Sequence, residues 1–109
     1  MSLYFLLGSL THDGQRMLHG NPDLIVDRAR DLKISGAEIL GQYAVLGRYD
    51  FVMIVEADDN DVIARFSLEL GVKAGAHVYT LPAIPIARLE AMDPDRPLAE
   101  ATGAVGPTE

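Results

Sequence analysis

The side chains able to carry chemistry in this 109-residue chain are few and far apart. There is no cysteine, which removes disulfides, thiolate nucleophiles and soft metal ligands together. Three histidines are present: His12, His19 and His77. The first two flank a polar stretch after a short apolar run, a setting in which ligand-contacting groups are common. A metal site needs three or four convergent N, O or S ligands, and no HxH or HxxE pattern supplies a nucleus, so no metal is expected. Asp58-Asp59-Asn60-Asp61 lacks the glycine and the distal glutamate of an EF-hand loop and reads as a helix cap. Ser9, Ser35 and Ser67 carry no nucleophile signature, and Gly8 to Gly14 lacks the spacing and lysine of a phosphate loop. Isolated groups remain. Asp50, next to Tyr49, stands at the head of an apolar strand, and a half-buried carboxylate there could transfer a proton. The same carboxylate could instead accept backbone N–H groups and fix a turn, which is the favoured role. Asp50 and His77 are the catalytic candidates; Tyr49, Asp50, His12, Tyr43 and Tyr79 are the ligand-binding ones.

These residues need elements to hold them. Leu3 to Leu7 reads as a buried strand ending at Gly8-Ser9. Thr11 to Gly20, polar and glycine-punctuated, is expected to be a loop with at most one helical turn. Asn21-Pro22 predicts a helix start, with Leu24, Ile25, Ala29 and Leu32 along one face and Gly36 as the stop. Glu38 to Leu46 is a second strand, Gly47 a tight turn, and Arg48 to Ala57 a third strand. The acidic cap then opens a helix with Val62, Ile63, Phe66 and Leu70 inward and Gly71 at its end. Ala76 to Leu81 is the last strand, halted by Pro82 and Pro85. Residues 1–89 thus form one domain, and 90–109 an acidic tail rich in Pro, Gly and Ala, read as mobile or as an arm that orders on a partner.

The order β-α-β-β-α-β with right-handed crossovers builds an α+β, ferredoxin-like fold: one antiparallel sheet with two helices on one face. The central strand is apolar on both faces: Phe51, Met53 and Val55 point one way, Val52 and Ile54 the other. The first strand repeats the pattern, with Leu3, Phe5 and Leu7 opposed to Tyr4 and Leu6. A sheet with one wet face should alternate apolar and polar. This sheet is therefore expected to pack against a second one in a dimeric α/β barrel, with Ile84 to Leu89 folding back over the open face as the monomeric alternative. The 49% apolar content, high for so small a chain, points the same way.

Glycine at 47 followed by Arg48-Tyr49-Asp50 resembles the Gly-x-Tyr-Asp hairpin of the GYD-domain proteins. The resemblance extends to Thr11-x-x-Gly14, to Pro22, and to Glu56 before an acidic helix start, covering Leu3 to about Leu81. Asp58 stands where proline is expected and Leu24 where a basic residue often follows the proline. The resemblance implies a ferredoxin-like, dimeric α/β-barrel domain without an assigned activity.

The net charge of −7 argues against nucleic acid, which is bound by clustered Lys and Arg. Much of that acidity lies beyond Leu89, in Glu90, Asp93, Asp95, Glu100 and Glu109. No apolar run approaches the ~20 residues of a membrane span, and no signal peptide is evident, so a cytoplasmic protein without membrane partners is expected. Two functional readings stand. One is a self-associating module, a homodimer or higher closed oligomer, that binds a small apolar metabolite without a cofactor. The other is a cofactor-independent enzyme of the monooxygenase or isomerase type, with Asp50, His77 and Tyr79 or Tyr43 moving protons; it rests on fold analogy.

Overall fold

The computed structural model describes residues 1–91. Its elements are β1 (Ser2–Leu10), α1 (His12–Gly20), α2 (Leu24–Asp31), β2 (Ala37–Ala44), β3 (Phe51–Ala57), α3 (Asn60–Ala74), β4 (Ala76–Ala83) and α4 (Ile86–Ala91). The strands form one sheet in the order β2-β3-β1-β4, every neighbouring pair antiparallel. This is the expected ferredoxin-like arrangement, with its first helical crossover built from two short helices instead of one. The expected tail lies, from residue 92 onward, outside the described residues.

One face of the sheet makes the core. Tyr4 and Leu6 of β1 and Phe51, Met53, Val55 and Ala57 of β3 are buried with Ile63, Phe66, Leu70 and Ala74 of α3 and Ala29 of α2. The period of two on the strands and the 3–4 spacing on α3 put these residues on facing surfaces, as the sequence pattern required. The single polar side-chain atom of Tyr4 is satisfied, its hydroxyl donating to Asn60 Oδ1 at 2.6 Å.

Several boundaries differ from expectation, each for a local reason. The stretch expected to be a loop holds a helix, His12–Gly20. Thr11 is its N-cap, accepting the Gly14 amide at 3.1 Å and donating to the Gly75 carbonyl at 3.0 Å. Gly14 is no breaker: a Cβ there would stand 2.1 Å from the Gly75 oxygen, so glycine lets α1 dock on the end of α3. Asn21 is the C-cap of α1, its side chain accepting the Asp23 amide, and α2 begins only at Leu24. That helix stops at Asp31, short of Gly36. Gly71 lies inside α3, which runs on to Ala74 and ends at Gly75 in the left-handed region, φ 68°. β4 continues through Pro82 to Ala83, as an edge strand can, because its outer N–H positions need no partner. Between β2 and β3 the connection is Val45 to Asp50, wider than a tight turn and closed by Val45 N–H donating to the Asp50 carbonyl at 3.1 Å.

Among the described residues, nothing covers the other face of the sheet. Tyr79, Leu7, Val52 and Tyr43 form one row across the four strands, and Leu81, Phe5, Ile54 and Gly41 the next. Phe5, Tyr43, Tyr79 and Leu81 are 37%, 58%, 52% and 47% exposed. Residues 84–89 do not fold back over them: Ile84, Ile86 and Leu89 are themselves exposed, the last two on α4.

Candidate functional site

The hairpin from Gly47 to Asp50 is tied to the end of β1. Gly47 has φ 107°, a conformation that a Cβ would strain. The Asp50 amide donates to the Gly8 carbonyl at 2.8 Å, and Asp50 Oδ2 accepts the Leu10 amide at 2.7 Å. Leu10 is the last residue of β1, so the carboxylate supplies an acceptor where the ladder with β3 has already run out. The Tyr49 ring meets the Tyr79 ring edge-on, with centroids 5.8 Å apart and planes at 73°, and the Arg48 guanidinium lies 5.7 Å from the Tyr49 centroid. Tyr49 thereby bridges the β2–β3 connection to the edge strand β4.

Of the other candidates, only Tyr43 shares a cavity with Asp50; the rest do not join it. Tyr43, on the far edge strand, is three strand spacings from Tyr79, roughly 14 Å across the sheet. His77 lies opposite Ser9, with β1 between it and Asp50. Its ring makes no hydrogen bond or ion pair among the described residues, so nothing orients it as a proton carrier would require. His12 is exposed at the start of α1 and lines neither of the concavities described below.

The two catalytic candidates fall in different concavities. A shallow groove of about 800 Å³ runs between α3 and the free edge of β4, lined by Ile63, Leu68, Val72, His77, Val78 and Tyr79. The Ser67 and Thr80 hydroxyls share a 2.7 Å hydrogen bond between α3 and β4. The second, about 150 Å³, lies between α1–α2 and the β2–β3 ladder; Leu18, Ile25, Phe51 and Met53 line it together with Tyr43 and Asp50. Into this cavity comes Gln42, which residue-type reasoning missed. Its Oε1 is buried and finds no hydrogen-bond partner among the described residues.

Gln42 is there because of a β-bulge. The β2–β3 register shifts between Ile39 and Gly41, so Gln42 pairs with Met53 on the core side and Tyr43 with Val52 on the open side. Without the extra residue, Tyr43 would face the helices and Gln42 the open side. Gly41 was the available signal, since a glycine within a strand pattern often marks a bulge or a close contact. A Cβ there would be 3.0 Å from the Tyr43 ring, which folds over it.

Residues 4–92 match the GYD domain. The chain belongs to that family. A Thermus thermophilus protein named glutamine synthetase and cystathionine beta-lyase binding protein is 41% identical over 90 residues, 82% of this chain and 95% of that protein. Among solved structures, the feast-or-famine regulatory protein of M. tuberculosis complexed with L-methionine matches with a TM-score of 0.60 at 12% identity over 78% of this chain, which spans 51% of that regulator. A crystal structure from T. thermophilus matches with a TM-score of 0.56 at 18% identity, over 78% of this chain and 95% of that one. At such identities the structural likenesses establish the fold. Within the family signature, Thr11 and Gly14 have a physical role: one caps α1 and the other admits it against Gly75.

Proposed function

We propose that this GYD-domain chain is a binding module that works as a sheet-to-sheet dimer and holds a small apolar metabolite without turning it over. The carrying observation is the bare sheet face, two full cross-strand rows of which are apolar or aromatic except for Gly41. Leaving such a surface wet forfeits about 25 cal/mol per Å² of apolar area, whereas a second copy recovers it on both sides at once. Charge supports the same pairing. Glu38 and Glu56 lie directly opposite each other at one end of the β2–β3 ladder, and Arg48 stands at the other end. A two-fold axis lying between the sheets and across the strands brings the Arg48 end of one copy over the acidic end of its partner. Like carboxylates facing across a ladder are unfavourable alone, so the partner's cation relieves them.

The site geometry favours binding over proton transfer, because Asp50 is engaged with a backbone amide and His77 faces a different concavity. The name of the Thermus relative, a protein that binds two enzymes, supports a binding role as well. On that analogy, metabolic enzymes of this protein's own cell are its expected macromolecular partners.

Native mass spectrometry of the protein purified from its own cells tests the reading. Twice the chain mass, with a small retained molecule released on denaturation, is the expected spectrum. A bare monomer at micromolar concentration would overturn it.

A further inference from the structure

We infer that residues 84–91, which carry α4, are an exchange arm that seats in the groove between α3 and β4 of a second copy of the chain. The inference rests on the sheet-to-sheet dimer and adds a contact to it at the sheet edge. α4 is six residues long, whereas an isolated helix needs roughly 12–15 residues to hold its form in water. Its apolar residues Ile86 and Leu89 are one turn apart, and Ile84 precedes them. All three are exposed, so no described part of the chain packs against them. A helix this short depends on packing that its own chain does not give it.

The groove has the matching deficit. Leu68 and Val72, one turn apart on α3, stand along it 71% and 78% exposed, with Ile63 and Val78 less exposed beside them. No Asp, Glu, Lys or Arg lines it, so apolar side chains enter without stripping water from a formal charge. The strand that borders it is also poorly guarded. β2, the other edge strand, carries Glu38 and a bulge, whereas β4 runs in unbroken register with only Pro82, near its end, to interrupt its N–H groups. Covering such an edge with a helix is one way in which proteins block stray strand pairing.

Reach indicates whose groove is filled. A two-fold axis across the strands sets β4 over the partner's β4 with its direction reversed, so Ala83 stands above the start of the partner strand. Facing sheets lie ~10 Å apart, and the three residues from Ala83 to Ile86 span up to roughly 10 Å. Ile86 thus arrives at the partner's edge strand. α4, roughly 9 Å long, then carries Leu89 towards the partner's Val72, because α3 ends where β4 begins. Within one chain, Gly71 stands beside Ala76 and Val78, roughly 17 Å along β4 from Ala83. To reach its own Val72, the arm would have to double back along the strand that it has just left.

The chain has no cysteine, so introduced thiols report alone. Val72→Cys combined with Leu89→Cys, oxidised in the full chain at micromolar concentration, should give two covalently joined chains on a denaturing gel without reductant. Leu46→Cys combined with Leu89→Cys, whose first site is fully exposed on the β2–β3 connection, should stay as single chains. A single chain with its two thiols joined means that the arm folds onto its own groove; free thiols mean that it seats in neither. Either result overturns the inference, as does equal joining in the Leu46 control. Hydrogen exchange reads the unaltered arm through the Arg88 and Leu89 amides, which donate to the Pro85 carbonyl. Leu68→Lys should speed their exchange about tenfold or more while the sedimenting mass stays at two chains, and unchanged exchange overturns the inference. A two-chain mass without the cross-link overturns the arm alone, whereas a one-chain mass of the unsubstituted protein overturns the dimer with it.

Discussion

At the scale of single residues, Asp50 and Gln42 show how differently two polar side chains can be read from sequence. Asp50 was legible, because a carboxylate after a glycine-led turn has a well-known local use, and the structure gives it that use with the Leu10 amide at 2.7 Å. Asp50→Ala should therefore lower stability by about 1 kcal/mol, near 5 °C in Tm, and Asp50→Asn by much less, since the amide oxygen still accepts. A calorimetric scan of both variants checks this; equal losses would show that charge, not the acceptor, matters. Gln42 was illegible, because the period of two assigns it to the open face and only the bulge reverses it. Its unpaired carbonyl makes the opposite prediction. Gln42→Leu, measured without ligand, should raise stability by about 1 kcal/mol, seen as a higher midpoint in urea.

At the scale of elements, the strands and α3 followed directly from apolar periodicity, whereas α1 did not. Two glycines in a short polar stretch read as breakers when only local propensity is weighed. What overrides propensity is a long-range contact: Gly14 and Gly75 meet where α1 crosses the end of α3, and Thr11 binds both sides of that crossing. Sequence periodicity carries no information about which helices touch at their glycines, so this contact emerges only in the folded chain. Gly14→Ala should then cost about 2–3 kcal/mol, because the Cβ meets backbone that cannot rotate away. Thr11→Val, nearly isosteric, should cost about 1 kcal/mol through the lost cap, since the Gly75 carbonyl keeps the residue-11 backbone amide at 2.8 Å. Hydrogen exchange localises both effects: α1 amides should lose protection while the β1–β3 ladder keeps its own. Uniform loss across the sheet would mean that α1 is part of the core's cooperative unit and not a docked flap.

At the scale of the whole molecule, the bare sheet face and the α3 side differ in kind although both expose apolar residues. Leu68 and Val72 form a narrow ridge on α3, whereas the sheet face is broad and continuous over all four strands. A broad apolar surface matches another copy of itself; a narrow ridge does not, and isolated exposed apolar residues are ordinary on protein surfaces. Ile54 sits at the centre of the face, flanked by Phe5 and Gly41 across the ladder. Ile54→Lys should leave circular dichroism intact, since the residue lies outside the buried cluster, and should reduce the sedimenting mass to that of one chain. Leu68→Lys, on the ridge, should leave the mass at two chains. If instead Leu68→Lys splits the dimer and Ile54→Lys does not, the pairing surface is the α3 side, and the apolar face must be covered by something other than a second copy of the sheet.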